Sequence, residues 1–111
     1  MVVKDFAEGN SMEILAGSKN IEKNNISGVC ICDLLSWVMS HANRGDAWIT
    51  VHTHLNIVAV AVLTEVSCIV IPEGIKVEQP TLNKADEEGI VIIGTDLSAY
   101  EICCKAYKCG I

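Results

Sequence analysis

The apolar positions fall in short, nearly continuous runs broken by polar turns, and the densest stretch is Ala47–Gly74, AWITVHTHLNIVAVAVLTEVSCIVIPEG. Ala47–Val51 predicts a strand that runs into a polar knot of His52, Thr53, His54 and Asn56. Cys68–Ile71 predicts a second strand, halted by Pro72, Glu73 and Gly74. Between them, Asn56–Val66 fits strand alternation and a buried helix alike, and its β-branched residues favour the strand. A strand would need chain reversals before Asn56 and near Glu65, and neither place has Gly or Pro. The helix is therefore the better reading. Asn56 serves as its N-cap, and the helix forms the usual right-handed crossover between parallel strands.

The rest of the chain follows the same alternation. Val3, Phe6 and Ala7 predict a short helix over Val2–Gly9, and Met12–Ala16 a short strand closed by Gly17. Ser18–Asn25 is polar and reads as the most mobile loop. Ser27–Cys32 reads as a strand, with Asp33 as N-cap of an apolar-faced helix over Leu34–Ala42. Asn43–Asp46 is a turn. After the Pro72–Val77 loop, Pro80 in a first turn predicts a helix to Glu88, stopped at Gly89. Ile90–Ile93 is a strand closed by Gly94. Ser98 and Glu101 form a capping-box pair, with Leu97 and Ile102 as a staple, for a last helix over Ala99–Cys109. Five strands alternating with five helices predict a three-layer α/β/α sandwich with a mainly parallel sheet.

Composition narrows this. The 111 residues predict a single domain, residues 1–111, with one core. Half are hydrophobic, mean hydropathy is +0.37 and aromatics are few, so the core is aliphatic. Near-continuous aliphatic strands favour a parallel-type sheet covered on both faces. The longest apolar run, Ile57–Leu63, is far short of the roughly 18 residues of a membrane span, and Met1–Gly9 is too polar for a signal peptide. A net charge of −6 argues against nucleic acid and against an anionic membrane surface. The six cysteines, with no visible export signal, read as reduced thiols of a cytoplasmic protein.

Two runs carry a family resemblance: GVCICDLLSWVMSHANRGDAWITVHTHLNIVAVAVLTEVSCIVIPEG and ADEEGIVIIGTDLSAYEI. Together they resemble a stand-alone DRTGG domain, similar in fold to the N-terminal domain of HPr kinase/phosphorylase and of some Mur ligases. The resemblance extends from about Val3 to Ile111 and rests on pattern over many positions. It implies an α/β regulatory or accessory module, often dimeric, with no catalytic activity of its own. The Asp-Arg of the family name falls at Thr53 and His54, and its Thr-Gly-Gly at Pro72, Glu73 and Gly74, so only Gly74 matches. The arginine fork that grips phosphate is absent from that position.

Several residues invite sharper readings. Gly17-Ser18-Lys19 lacks the upstream Gly and following hydroxyl of a phosphate cradle, so it reads as a turn and not as kinase machinery. His52 with His54, and Cys30 with Cys32, are spaced to share a face of extended chain, which offers a metal or redox alternative; against it, no C-x-x-C or H-x-x-x-H pair exists. His41 suits a helix C-terminus. Trp37 and Trp48 read as packing residues, an exposed Trp37 pointing instead to a dimer surface. Asp86-Glu87-Glu88 reads as a solvated face.

In an open α/β sheet, ligands bind beyond the carboxyl ends of the strands. That rim is expected to carry Gly17 and Ser18, and a ligand site is assigned to Asp33, His52, Thr53, His54, Asn56, Glu73, Gly74, Thr95 and Asp96. No Ser–His–Asp order and no paired carboxylates can be argued from spacing. The expectation is a non-catalytic regulatory or interaction module. It is dimeric, needs no cofactor or metal, and binds a small ligand or a protein partner.

Overall fold

The computed structural model describes all residues, 1–111. The chain runs α1 (Val3–Gly9), β1 (Glu13–Ala16), β2 (Gly28–Ile31), α2 (Leu35–His41), β3 (Asp46–Ile49), α3 (Asn56–Thr64), β4 (Cys68–Ile71), α4 (Gln79–Glu88), β5 (Ile92–Gly94) and α5 (Ala99–Lys108). The five strands form one sheet in the order β1-β5-β4-β3-β2. β2, β3, β4 and β5 are parallel, and β1 joins β5 antiparallel.

The layers follow from side-chain alternation. In β3 and β4 every residue is buried. Ala47, Ile49, Cys68 and Val70 face a cluster with Val3, Phe6 and Ala7 of α1 and Ile102 and Ala106 of α5. Trp48, Ile69 and Ile71 face the opposite cluster, with Val38 of α2, Ile57, Val58, Val60 and Ala61 of α3, and Ala85 of α4. The crossover helices α2, α3 and α4 thus lie on one face of the sheet, and α1 and α5 on the other. This is the expected three-layer α/β/α architecture.

The aliphatic tract after Asn56 is helical. Its low amphipathicity, which made it ambiguous, reflects burial of Ile57, Val58, Val60 and Ala61 while Val62 and Leu63 stay exposed. Burying each large aliphatic side chain stabilises by roughly 1.5–3 kcal/mol.

Several local expectations are corrected. Neither Asp33 nor Asn56 is an N-cap. Leu34 and Leu55 occupy those positions without a side-chain bond to the first turn, because the Asp33 carboxylate is engaged elsewhere and Asn56 is already helical. The capping box of Ser98 and Glu101 is present. The Ser18–Asn25 loop is anchored: Asn20 donates to the Gly89 carbonyl at 2.7 Å, Asn24 donates to the Ser67 carbonyl at 3.0 Å, and Lys4 pairs with Glu22 at 2.9 Å. Trp48 is fully buried, but Trp37 is 52% exposed and stacks on His41 with ring centroids 3.6 Å apart. Packing against the core therefore accounts for Trp48 alone. Within the acidic run, Asp86 accepts the Gly17 N–H at 2.7 Å.

Because β1 is antiparallel, Gly17 and Ser18 lie at the opposite edge of the sheet from the other rim residues. A Cβ on Gly17 would come 2.3 Å from the Ile90 carbonyl oxygen, and its φ is +74°. Glycine is required there by close packing of two backbone segments, which explains the Gly17-Ser18-Lys19 turn.

Truncating Ile57, which is fully buried, to Ala is expected to cost about 2–5 kcal/mol. Truncating Leu63, 68% exposed on the same helix, is expected to cost about 0.5 kcal/mol or less. Urea unfolding of the two variants checks both.

Candidate functional site

The parallel strands β2 to β5 end on one edge, and the loops after them carry the residues assigned from sequence. No reversal of strand order occurs among β2, β3, β4 and β5. The crevice that a reversal opens between diverging loops is therefore missing, and the rim divides into two groups.

The first group is built on Asp33. One carboxylate oxygen accepts from the Thr50 hydroxyl at 2.8 Å and from the Val51 N–H at 2.9 Å. The His52 Nε2 approaches the Asp33 carbonyl at 2.5 Å, and the His52 N–H donates to the Thr50 hydroxyl at 3.2 Å. This network ties the end of β2 to the end of β3. Thr50 is buried, so its hydroxyl needs such an acceptor. Next, the Thr53 carbonyl accepts from the buried Thr81 hydroxyl at 2.7 Å, which anchors this loop to α4. His54 is exposed, and its Nδ1 accepts the Asn56 N–H at 3.2 Å, one of the free donors at the start of α3. These residues spend their hydrogen-bonding capacity on holding loops together.

The second group is the Pro72–Ile75 turn and the loop after β5. The Ile75 N–H closes on the Pro72 carbonyl at 3.2 Å, and both central residues are left-handed, Glu73 with φ +62° and Gly74 with φ +66°. Their N–H groups donate outward, Glu73 to the Leu97 carbonyl and Gly74 to the Thr95 carbonyl, each at 2.9 Å. The Leu97 N–H turns back onto the Thr95 hydroxyl at 3.2 Å. Two consecutive left-handed residues are the geometry that Gly-Gly supplies without strain. Glu73 occupies the first of them at a cost of roughly 1–2 kcal/mol.

A cleft of about 500 Å³ opens beside this turn. Gly74, Lys76 and Gln79 form one wall, Gly94, Thr95 and Asp96 another, and Ser11, Glu13 and Leu15 close it from the antiparallel side. Of the nine assigned residues, Gly74, Thr95 and Asp96 line this cleft; Asp33, His52, Thr53, His54, Asn56 and Glu73 do not. Sequence reasoning missed the contribution of Ser11, Glu13 and Leu15, because it depends on β1 pairing with the last strand.

Chemically, the cleft is polar and mixed in charge: Glu13 and Asp96 against Lys76. The single arginine, Arg44, lies at the other edge, 3.7 Å from Glu65. Cys30, Cys32, His52 and His54 are not gathered into one ligand set, and no three His, Cys, Asp or Glu side chains are placed to hold a metal ion. All six cysteines are free. Burial pushes the Cys68 thiol up to about 12, and burial likewise raises Cys30 and Cys103. None of these three is an activated thiolate. Ser40 and His41 are in contact at 2.8 Å, but both are exposed on α2 and outside the cleft.

Replacing Gly74 with Ala places a Cβ 2.8 Å from the Asp96 carboxylate in a left-handed conformation. The expected loss is about 1–2 kcal/mol. Gly9→Ala, where nothing lies within 4 Å, is expected to be neutral or slightly stabilising. Thermal unfolding of the pair reads the difference in sign.

No protein-family model matches the sequence, and no curated protein does. Among solved structures, the chain is similar to the CBS and DRTGG domains of the regulatory region of Clostridium perfringens pyrophosphatase, complexed with its activator diadenosine tetraphosphate. The TM-score is 0.75 at 14% identity, over 93% of this chain and 44% of that one. The chain thus spans less than half the length of that structure. At this identity the likeness is one of fold, and it supports a DRTGG-like α/β fold.

Proposed function

We propose that this chain is a non-catalytic regulatory module that takes a small ligand in the Gly74–Asp96 cleft and acts as a dimer. The observation that carries the reading is the cleft itself, closed by β1, on a fold shared with a ligand-responsive regulatory region. The kinship implied by the sequence, with the N-terminal domain of HPr kinase/phosphorylase, goes with this reading, as does a cytoplasmic location. No helix is long and apolar enough to cross a membrane.

The ligand class follows from charge. A tetraphosphate needs several cations, most effectively arginines in a fork. This cleft offers one lysine against two carboxylates, on a chain of net charge −6. A neutral or zwitterionic small molecule fits those groups better than the polyphosphate bound by the pyrophosphatase region. An amino-acid-like zwitterion would set its ammonium toward Glu13 or Asp96 and its carboxylate toward Lys76.

A titration followed by amide NMR tests this. A panel of neutral and zwitterionic metabolites is expected to contain members that shift the Gly74, Lys76, Thr95 and Asp96 amides. Diadenosine tetraphosphate is expected to leave them in place. Saturable shifts of those amides by diadenosine tetraphosphate, or no shift with any compound, would overturn the assignment.

A further inference from the structure

We infer that two copies of this chain join along β2, edge to edge and antiparallel, about a two-fold axis. The inference rests on the proposal that the module is dimeric, and names the surface.

The two edges of the sheet are built differently. β1 carries Glu13 and an irregularity between Ile14 and Ala16, both of which discourage strand addition. β2 is Gly-Val-Cys-Ile, with no charge, no Pro and an unbroken register against β3. β3 is its only strand neighbour, and no other backbone or side-chain group bonds Gly28–Ile31. The same edge already accepts an antiparallel segment just before β2. There Val2 bridges Asn25, and the Ile26 N–H donates to the Met1 carbonyl at 2.8 Å.

Exposed apolar side chains flank this edge. Ile31 is 56% exposed; Leu34, the N-cap of α2, is 64% exposed, and Trp37, on α2 itself, whose helix neighbour is α3, is 52% exposed. A two-fold contact sets a surface against itself, so any charge meets its own copy. With a net charge of −6, an acidic patch would repel. Of the residues from Gly28 to Trp37, only Asp33 is charged, and its carboxylate is engaged by Thr50 and Val51. A neutral, self-complementary strand edge is what a second copy requires.

Magnitude sets the strength. Half-exposed side chains of this size offer on the order of 100 Å² each, so these three and the strand edge fall well below the roughly 800 Å² per partner of a standard interface. An interface of that size is weak and reversible.

Sedimentation of the full chain between about 5 and 500 micromolar is expected to show a reversible rise from 12.0 kDa to twice that mass. Hydrogen exchange of residues 28–31 is expected to slow over the same range. Ile31→Glu sets two carboxylates across the axis and is expected to shift the transition at least tenfold upward, whereas Leu63→Glu, on the exposed side of α3, leaves it in place. A dimer that survives Ile31→Glu while Leu63→Glu disrupts it overturns the surface and spares the dimer. A strict monomer throughout overturns both. Far-ultraviolet circular dichroism confirms that each variant is folded.

Discussion

A strand buried on both faces needs apolar cover above and below it at once, and this one requirement arranges the molecule. β3 and β4 are buried at every position. Their two faces need two layers of helix, and 111 residues leave little chain to supply them. The aliphatic tract from Asn56 to Thr64 meets much of the demand on one side, because as a helix it can press Ile57, Val58, Val60 and Ala61 onto Trp48, Ile69 and Ile71. As a strand it would widen the sheet and leave that face bare.

From that crossover follows the position of every loop that could bind anything. Parallel β3 and β4 bring their polar ends to one edge, and α4 carries the chain on to β5. Winding in a single direction, however, makes a rim without a dividing crevice. The loops after β2 and β3 close on one another through Asp33, Thr50 and His52. The loops after β4 and β5 close through the Glu73 and Gly74 amides. The space that remains is the cleft between Gly74, Asp96 and the antiparallel strand β1. Neighbouring rim residues therefore differ in use: some join loops, and a few face a volume that a ligand can enter.

How much of this is legible in the sequence depends on the range of the interaction. The periods of apolar residues, Pro80 at a helix start and the Ser98–Glu101 box are local signals, and they yield the strands, helices and layers. Asp33 shows where locality ends. A short carboxylate before a helix can cap it or reach sideways, and the choice was made by Thr50, 17 residues away. The antiparallel pairing of β1 is longer in range still, since its partner β5 lies near the other end of the chain. That pairing decides both the far position of Gly17 and the third wall of the cleft. Trp37 looks apolar enough for the core, yet its helix buries only Val38. Such a helix covers its strand through Val38, with Leu35 half-buried beside it, and leaves Trp37 and Met39 outward.

The layer order and the cleft depend on the conformation of the valine-alanine tract. Backbone ¹³Cα chemical shifts of Ile57 to Leu63 in the folded protein report it directly. The structure requires a continuous run of downfield, helical values across these residues, with extended values in Cys68–Ile71. Upfield, extended values from Ile57 to Leu63 would place the tract in the sheet, and the layer order, the shared rim and the cleft would fall with it.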